Sequence, residues 1–437
     1  MALRDGWSPA KSPGAEESND AENRPTWLPG RQRSGAFVPE RRLPEGGNES
    51  QGARPRRAGP AGDKAVQPSR RLELQWLRAF AASEVVLCHS DLLTKHFSGL
   101  AIARSWYQPF SALGVELFFI VSGYVIAMRV GAKDTGGAFF AARVLRLLPM
   151  YWFFTSIVVA VYLVKPAWHL MGFSPDPISM AKTYLILPQQ GFPILGVGWT
   201  LEHEVLFYLG VALMLATVGS GRGARLGLAW LLTGLGAIGL ALGSPAGPIA
   251  GGGTLGAAFL THVFNPFMLA FALGWLVREL EGRKPAELAL QLLPLTLLLL
   301  WAAWEAPAGK LMPLWRIAAA GLVFAGFLLC RHALEKDNRL GRTMVLLGEA
   351  SFSIYLSHWF VLSAGGKLLG HFGMPASYDL PVRLVGVALA LAVGVAFYVA
   401  LEKPVDRWLR PGGRLRSFGL LPPAVTPAPA PIRKKPG

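Results

Sequence analysis

Cysteine is nearly absent from this chain, which limits the kinds of site it can form. Only Cys88 and Cys330 occur in 437 residues, and they fall in different apolar stretches. Two isolated cysteines give neither a disulfide framework nor the ligand spacing of a zinc site, so the sequence predicts no bound metal. No internal repeat of fixed period is present either.

Charge is also scarce, and most of it has one sign. Charged residues make up 16% of the chain, with 43 Lys and Arg against 27 Asp and Glu, whereas 52% of residues are hydrophobic. This composition is typical of an integral membrane protein. The net charge of +16 lies largely in connections and tails, where attraction to membrane lipid explains it and no nucleic-acid partner is expected.

Apolar stretches of about 20 residues, each long enough to cross a bilayer as a helix, recur along the chain. They predict an all-α, polytopic membrane protein with about ten transmembrane helices. The predicted spans are 72–94, 110–130, 144–164, 198–218, 226–243, 257–277, 287–304, 314–331, 345–365 and 383–402. Lys and Arg cluster after the second, fourth, sixth and eighth spans, which predicts that the N- and C-termini are cytoplasmic.

Two segments outside the spans are polar. Residues 1–69 are rich in Pro, Gly, Arg, Glu and Ser, and 411–437 are rich in Pro and basic residues. Segments with so few large apolar side chains cannot offset the entropy lost on ordering, so both are predicted to be disordered tails. The transmembrane domain is therefore expected to cover 70–410.

The first span contains two residues that a membrane interior disfavours. Arg78 and His89 lie eleven positions apart, with Glu84 between them. Eleven residues make about three helical turns, so Arg78 and His89 share one face, with roughly 16 Å of rise between them. Ionisable groups within a membrane usually face a protein interior or a hydrated cavity and have a function.

Two further segments carry polar groups at the membrane. In the second span, Glu116 precedes the small pair Ser122 and Gly123, for which close helix packing is the simpler interpretation. At the start of the third span, Arg143 and Arg146 share a helix face and suit a phosphate, although ordinary positive-inside anchoring would also explain them.

The fourth and ninth spans add a carboxylate and a histidine. Trp199 begins a segment in which Glu202 and His203 are expected at the interface, while Glu204 and Tyr208 lie four apart and face one way. Glu204 is thus available to a cation from the first span. Tyr355 and His358 lie in the ninth span, where an interhelical hydrogen bond is the simpler role for His358.

Taken in order, these segments resemble acyltransferase family 3, most closely the exopolysaccharide and surface-glycan O-acetyltransferases. The resemblance covers about 70–410 and rests on the following residues: Arg78 with His89, Gly114 to Tyr124, Arg143 and Arg146 before Pro149, Gly198 to Leu201 with Glu204 and Tyr208, Ser351 to His358, and Glu402-Lys403-Pro404. One departure is Glu116, where relatives more often have Asp.

The resemblance implies a ten-span enzyme of the bacterial inner membrane that moves an acyl group, usually acetyl, from cytoplasmic acyl-CoA to a sugar hydroxyl of a glycan or lipid-linked glycan. It implies that His89 and Arg78 are essential and that Arg143 and Arg146 bind the donor, acetyl-CoA. Glu204 is the third expected catalytic residue, and the expected supporting residues are Glu116, Ser122, Trp199, Tyr208, Tyr355 and His358.

Acyl transfer from a thioester to an alcohol needs a base, and His89 is the natural one because its unperturbed pKa lies nearest neutral pH. Glu204 or Glu84 is expected to fix its tautomer. Arg78 is too far along the helix to touch the same atom, so it is expected to position the donor or pair with a carboxylate. Direct attack by the sugar and an acyl-histidine intermediate both remain open.

Two other functions fit the same residues. Buried Arg, Glu and His side chains also form proton relays and solute sites in membrane transporters, in which case Arg143 and Arg146 would be topology signals only. A structural subunit of a polysaccharide-export assembly is the third interpretation, and it leaves the buried charges without a purpose.

Overall fold

A helix pairs its own backbone N–H and C=O groups, and a chain within a bilayer needs this because lipid offers these groups no hydrogen-bond partners. The computed structural model describes residues 71–94, 113–131, 134–165, 176–244, 254–284, 312–334, 337–372 and 374–409. The predicted tails, 1–69 and 411–437, and the predicted span 287–304 lie outside the described residues.

Helices account for most of the described chain. They are α1 (Leu72–His89), α2 (Asp91–Thr94), α3 (Gly114–Arg129), α4 (Gly136–Val164), α5 (Pro177–Tyr184), α6 (Trp199–Thr217), α7 (Arg222–Ala241), α8 (Leu255–Val263), α9 (Phe267–Leu280), α10 (Met312–Leu329), α11 (Arg339–Glu349), α12 (Ser351–Leu369), α13 (Asp379–Phe397) and α14 (Lys403–Leu409). Short 3₁₀ turns are Gly196–Gly198, Cys330–Ala333 and Ala376–Tyr378, and a π-helical turn, Tyr398–Glu402, joins α13 to α14.

Among the described residues, five helical segments are long and apolar enough to cross a membrane, or up to seven if each of two bent pairs is one span. α1, with three charges in 18 residues, and α3, with 16 residues, fall outside this set. The all-α class and the multi-pass character are thus supported. The count of ten and the cytoplasmic termini stay predictions.

Both bent pairs correct the predicted spans. The predicted span 345–365 crosses a bend of 79° at Ala350, between α11 and α12. The predicted span 257–277 crosses a bend of 43° between α8 and α9, where Pro266 is the N-cap of the second helix. Runs of apolar residues predict which segments lie within the membrane, but they do not show where a helix changes direction.

The buried centre of the bundle is α3. Every residue from Gly114 to Ala127 is buried, and α3 packs on α1, α9 and α10. Its contact with α9 is close, because a Cβ added at Gly123 would overlap the carbonyl of Phe271, and one at Gly274 would overlap that of Ile120. The packing role predicted for Gly123 is confirmed.

Candidate active site

α1 and α12 lie side by side and bring two predicted residues to two partners. Arg78 is fully buried, and its Nη2 donates to Ser351 Oγ at 2.6 Å. Ser351 is the first residue of α12, directly after the bend at Ala350. The bend therefore places a neutral hydroxyl, at the start of a helix, against a buried guanidinium.

Further along the same two helices, His89 meets His358. Nδ1 of His89 lies 3.2 Å from Nε2 of His358, and the two ring centroids are 5.1 Å apart. We call these residues the histidine pair. His89 keeps 7% of its surface exposed, whereas His358 keeps none. Trp359 packs its edge on His89, with the ring centroids 5.1 Å apart.

The two nitrogen atoms of His89 have different surroundings. Nδ1 also lies 3.0 Å from the carbonyl oxygen of Val85, one turn earlier on α1. Among the described residues, Nε2 of His89 has no hydrogen-bond partner. This nitrogen is therefore the one available to a substrate.

The carboxylates expected beside His89 lie elsewhere, which corrects the predicted arrangement. In the described part of the chain, neither Glu204 nor Glu84 bonds to His89. Glu84 has a buried Oε2 with no hydrogen-bond partner there. A carboxylate was expected next to Nδ1 of His89, but His358 lies there instead.

Glu204 joins α6 to α3. Tyr208 donates to its Oε1, and Ser122 Oγ also donates to Oε1 at 3.3 Å. Glu204 and Tyr208 therefore share a face, as their spacing predicts. Ser122 therefore makes a hydrogen bond to Glu204, in addition to lying next to Gly123, which allows close helix packing.

Tyr355 ties α12 to the start of α6. Its hydroxyl lies 2.9 Å from Thr200 Oγ1 and also donates to the carbonyl of Val197. Its ring lies 5.9 Å from that of His358, centroid to centroid. Tyr355 thus holds the turn of α12 that carries His358.

A second group of titratable side chains lies at the start of α6. Nε2 of His262 is 2.9 Å from Glu202 Oε2, and Gln189 donates to the same carboxylate through Nε2 at 2.9 Å. The rings of His203 and His262 are 4.3 Å apart, and Trp199 packs on His203. Glu202 and His203 are each only 2% exposed, and the expectation that they lie at the membrane interface stays a prediction.

Two arginines that the sequence analysis missed bind carboxylates. Arg316 on α10 pairs with Glu116, which is fully buried on α3. Arg383 on α13 pairs with Asp379 at 2.7 Å and with Asp91, just beyond His89. The spacing of four between Asp379 and Arg383 was a signal that the sequence offered, whereas no local pattern connects Arg316 to Glu116.

Arg143 and Arg146, which begin the third predicted span, have different partners. Arg146 is 9% exposed and lies 3.3 Å from Asp406 and 3.7 Å from Glu402. The guanidinium of Arg143 lies over the ring of Phe139, 5.4 Å from its centroid, and is partly exposed. The two arginines were expected to bind a phosphate together. In the structure they have different surroundings, because Arg146 is held by two carboxylates.

Comparison with known proteins gives a family for this arrangement. The family model described as an acyltransferase domain (Acyl_transf_3) matches residues 71–401. The chain is 29% identical over 318 residues to the exopolysaccharide production protein ExoZ of Rhizobium meliloti (strain 1021), covering 68% of this chain and 90% of that protein. It is 26% identical over 389 residues to the acyltransferase MdmB of Streptomyces mycarofaciens, covering 82% and 96%. No solved structure matches the chain.

Proposed function

The chain belongs to acyltransferase family 3, and we propose that it moves an acetyl group from cytoplasmic acetyl-CoA to a sugar hydroxyl of an exopolysaccharide or other surface glycan, in the bacterial inner membrane. Its relative ExoZ is an exopolysaccharide production protein, which supports a glycan acceptor. The single observation that carries the proposal is Nε2 of His89, which has no hydrogen-bond partner in the described part of the chain and lies on the same helix face as Arg78.

The proposed transfer at this nitrogen needs no reactant other than acetyl-CoA and the sugar hydroxyl. Nε2 of His89 takes the proton of the sugar hydroxyl while the hydroxyl oxygen attacks the thioester carbonyl carbon. The tetrahedral intermediate collapses, the carbon–sulfur bond breaks, and the CoA thiolate takes the proton back from Nε2. If His89 instead receives the acyl group first, the same Nε2 forms the bond, so both routes begin at one atom.

The remaining predicted residues fit around this step. Arg78 lies about three turns from His89 toward the proposed cytoplasmic side, where it lines the path of the pantetheine arm. Arg143, partly exposed at the proposed cytoplasmic mouth, binds a CoA phosphate, and Arg146 fastens α4 to α14. Glu204 holds α3 and α6 together beside the path.

Purified protein with acetyl-CoA labelled in its acetyl group tests the proposal against the transporter alternative. We expect label to appear covalently on an added oligosaccharide, and free CoA thiol to accumulate in equal amount. His371→Gln, which changes an exposed histidine on the same chain, is the matched control and should transfer normally. Solute flux into vesicles without covalent label would reject the enzyme in favour of a transporter.

A further inference from the structure

We infer that His358 is a positioning residue for His89: its Nε2 accepts the Nδ1 proton of His89 and keeps the Nε2 lone pair of His89 available for the reaction. The expected effect of His358 on catalysis rests on the proposed function. The hydrogen-bond pattern itself does not depend on what the protein transfers.

Three contacts decide the positions of the ring protons. Nδ1 of His358 lies 3.2 Å from the carbonyl of Ile354, Nδ1 of His89 lies 3.0 Å from the carbonyl of Val85, and Nε2 of His358 lies 3.2 Å from Nδ1 of His89. A carbonyl only accepts, so each Nδ1 must carry a proton to bond there. A neutral ring with a proton on Nδ1 has a lone pair on Nε2.

Of the neutral tautomer combinations, one satisfies all three contacts. With protons on both Nδ1 atoms, His358 Nε2 is an acceptor that faces a donor on His89. Moving either proton to Nε2 places a lone pair against a carbonyl oxygen, in a buried site where an unmade bond costs about 1–3 kcal/mol. The arrangement therefore selects the tautomer of His89 whose Nε2 is bare.

The environment of His358 suits a neutral partner. His358 is fully buried, and a carboxylate in that position would carry the full cost of removing a charge from water. A neutral imidazole gives the same acceptor without that cost. Tyr355, anchored on Thr200 and Val197, fixes the turn of α12 from which the imidazole projects.

If His358 has this role, the transfer rate depends on a hydrogen-bond acceptor at the position of its Nε2 more than on the imidazole ring itself. His358→Leu keeps a buried side chain of moderate size but removes the acceptor, and we expect kcat to fall about 10²-fold with the KM for acetyl-CoA unchanged. His358→Gln puts an amide oxygen near the position of Nε2 and should recover activity to within about tenfold of the wild type. His371→Leu, at an exposed histidine that bonds its own helix in the same way, is the control and should act as wild type.

The ring protons can also be observed without any activity. Solid-state ¹⁵N NMR of histidine-labelled protein, with the signals assigned by difference from His89→Gln and His358→Gln, should show a protonated Nδ1 and a bare Nε2 on both residues. A proton on Nε2 of His89 in the neutral protein would overturn the inference, as would a His358→Leu variant with wild-type kcat. Absence of transfer by the wild type, with the expected spectrum, would reject the proposed function and leave the tautomer intact.

Discussion

The two pairs of basic residues that the sequence singles out have contrasting surroundings. Arg78 and His89 have neutral groups among their partners, the Ser351 hydroxyl and the His358 imidazole. Arg146 is instead held by carboxylates, and Arg143 remains partly exposed over an aromatic ring. A charge held by opposite charges stabilises helix packing, whereas a nitrogen with no partner among the residues that the structure describes is available to react.

The same contrast divides the Arg143 and Arg146 motif into two roles. A spacing of three places both residues on one face, and Arg146 lies 3.7 Å from Glu402 and 3.3 Å from Asp406. Glu402 is held in turn by Ser353 Oγ, at 2.6 Å. Arg146 thus connects α4 to the π-helical turn and α14, and through Glu402 to α12, which carries His358 of the histidine pair.

The largest expected effect is at His89. His89→Gln removes the base while keeping a side chain of similar length, and should lower acyl transfer by about 10²- to 10⁴-fold. The protein should still extract from membranes and elute as the wild type does. A transfer rate within a few-fold of the wild type would show that the unpartnered nitrogen has no part in the chemistry.

The next effect is on stability, at Arg146. Arg146→Met removes a cation that lies beside the buried Glu402 carboxylate, and breaking a buried ion pair typically costs about 3–5 kcal/mol. We expect a clear fall in the Tm of detergent-solubilised protein. Arg143→Met, three residues away on the same helix, is the matched control and should melt near the wild-type temperature. Equal Tm values for the two variants would remove the distinction between them.

A smaller effect, on substrate affinity, is expected at Arg143. Loss of one charge-assisted contact to a CoA phosphate is worth about 1.5 kcal/mol, so Arg143→Met should raise the KM for acetyl-CoA about tenfold. kcat should change little, because the contact is proposed to hold a phosphate of the donor and not its acyl group. The result would contradict our assignment if KM stayed constant and kcat fell.

The smallest effect is at Glu281, beyond the end of α9. Burial alone raises the pKa of this carboxyl, but the hydrogen bond from Tyr124 and the charges of Arg71 and Arg278 outweigh it and hold the pKa below the usual 4.5. A lowered folded-state pKa adds stability above the unfolded value, and the contribution is lost as pH falls through the folded pKa.

Glu281→Gln should therefore lower the Tm slightly at pH 7, by on the order of 1 °C, since the group is partly exposed. Thermal melts at a series of pH values check the sign. The difference from the wild type should shrink as the pH drops below 4.5, and a difference that grew in acid would contradict the proposed ion pairs.

The sequence predicts helix faces better than it predicts neighbours. Helical periodicity was enough to place Glu204 with Tyr208, and the small Gly123 correctly indicated close packing. It could not show that Glu116 meets Arg316, about 200 positions later, because periodicity defines which way a side chain points and not what it meets.

The same limit explains the ranking of the histidines. His358 alone, among apolar residues, is typical of a simple interhelical hydrogen bond. Its importance depends on which atom it bonds to, and this follows from the bend at Ala350 that sets α12 beside α1. The contacts of Glu202 and His203 with His262 could not be predicted for a related reason, since His262 lies on a different helix.

The most direct test of the account is an experimental structure of the protein with a non-transferable acetyl-CoA analogue. We predict that the carbonyl carbon of the bound acyl group lies within about 3.5 Å of the Nε2 of His89, or one water molecule away from it, with a CoA phosphate beside Arg143. An analogue whose acyl group lies against another part of the bundle, with His89 packed away from it, would contradict the account.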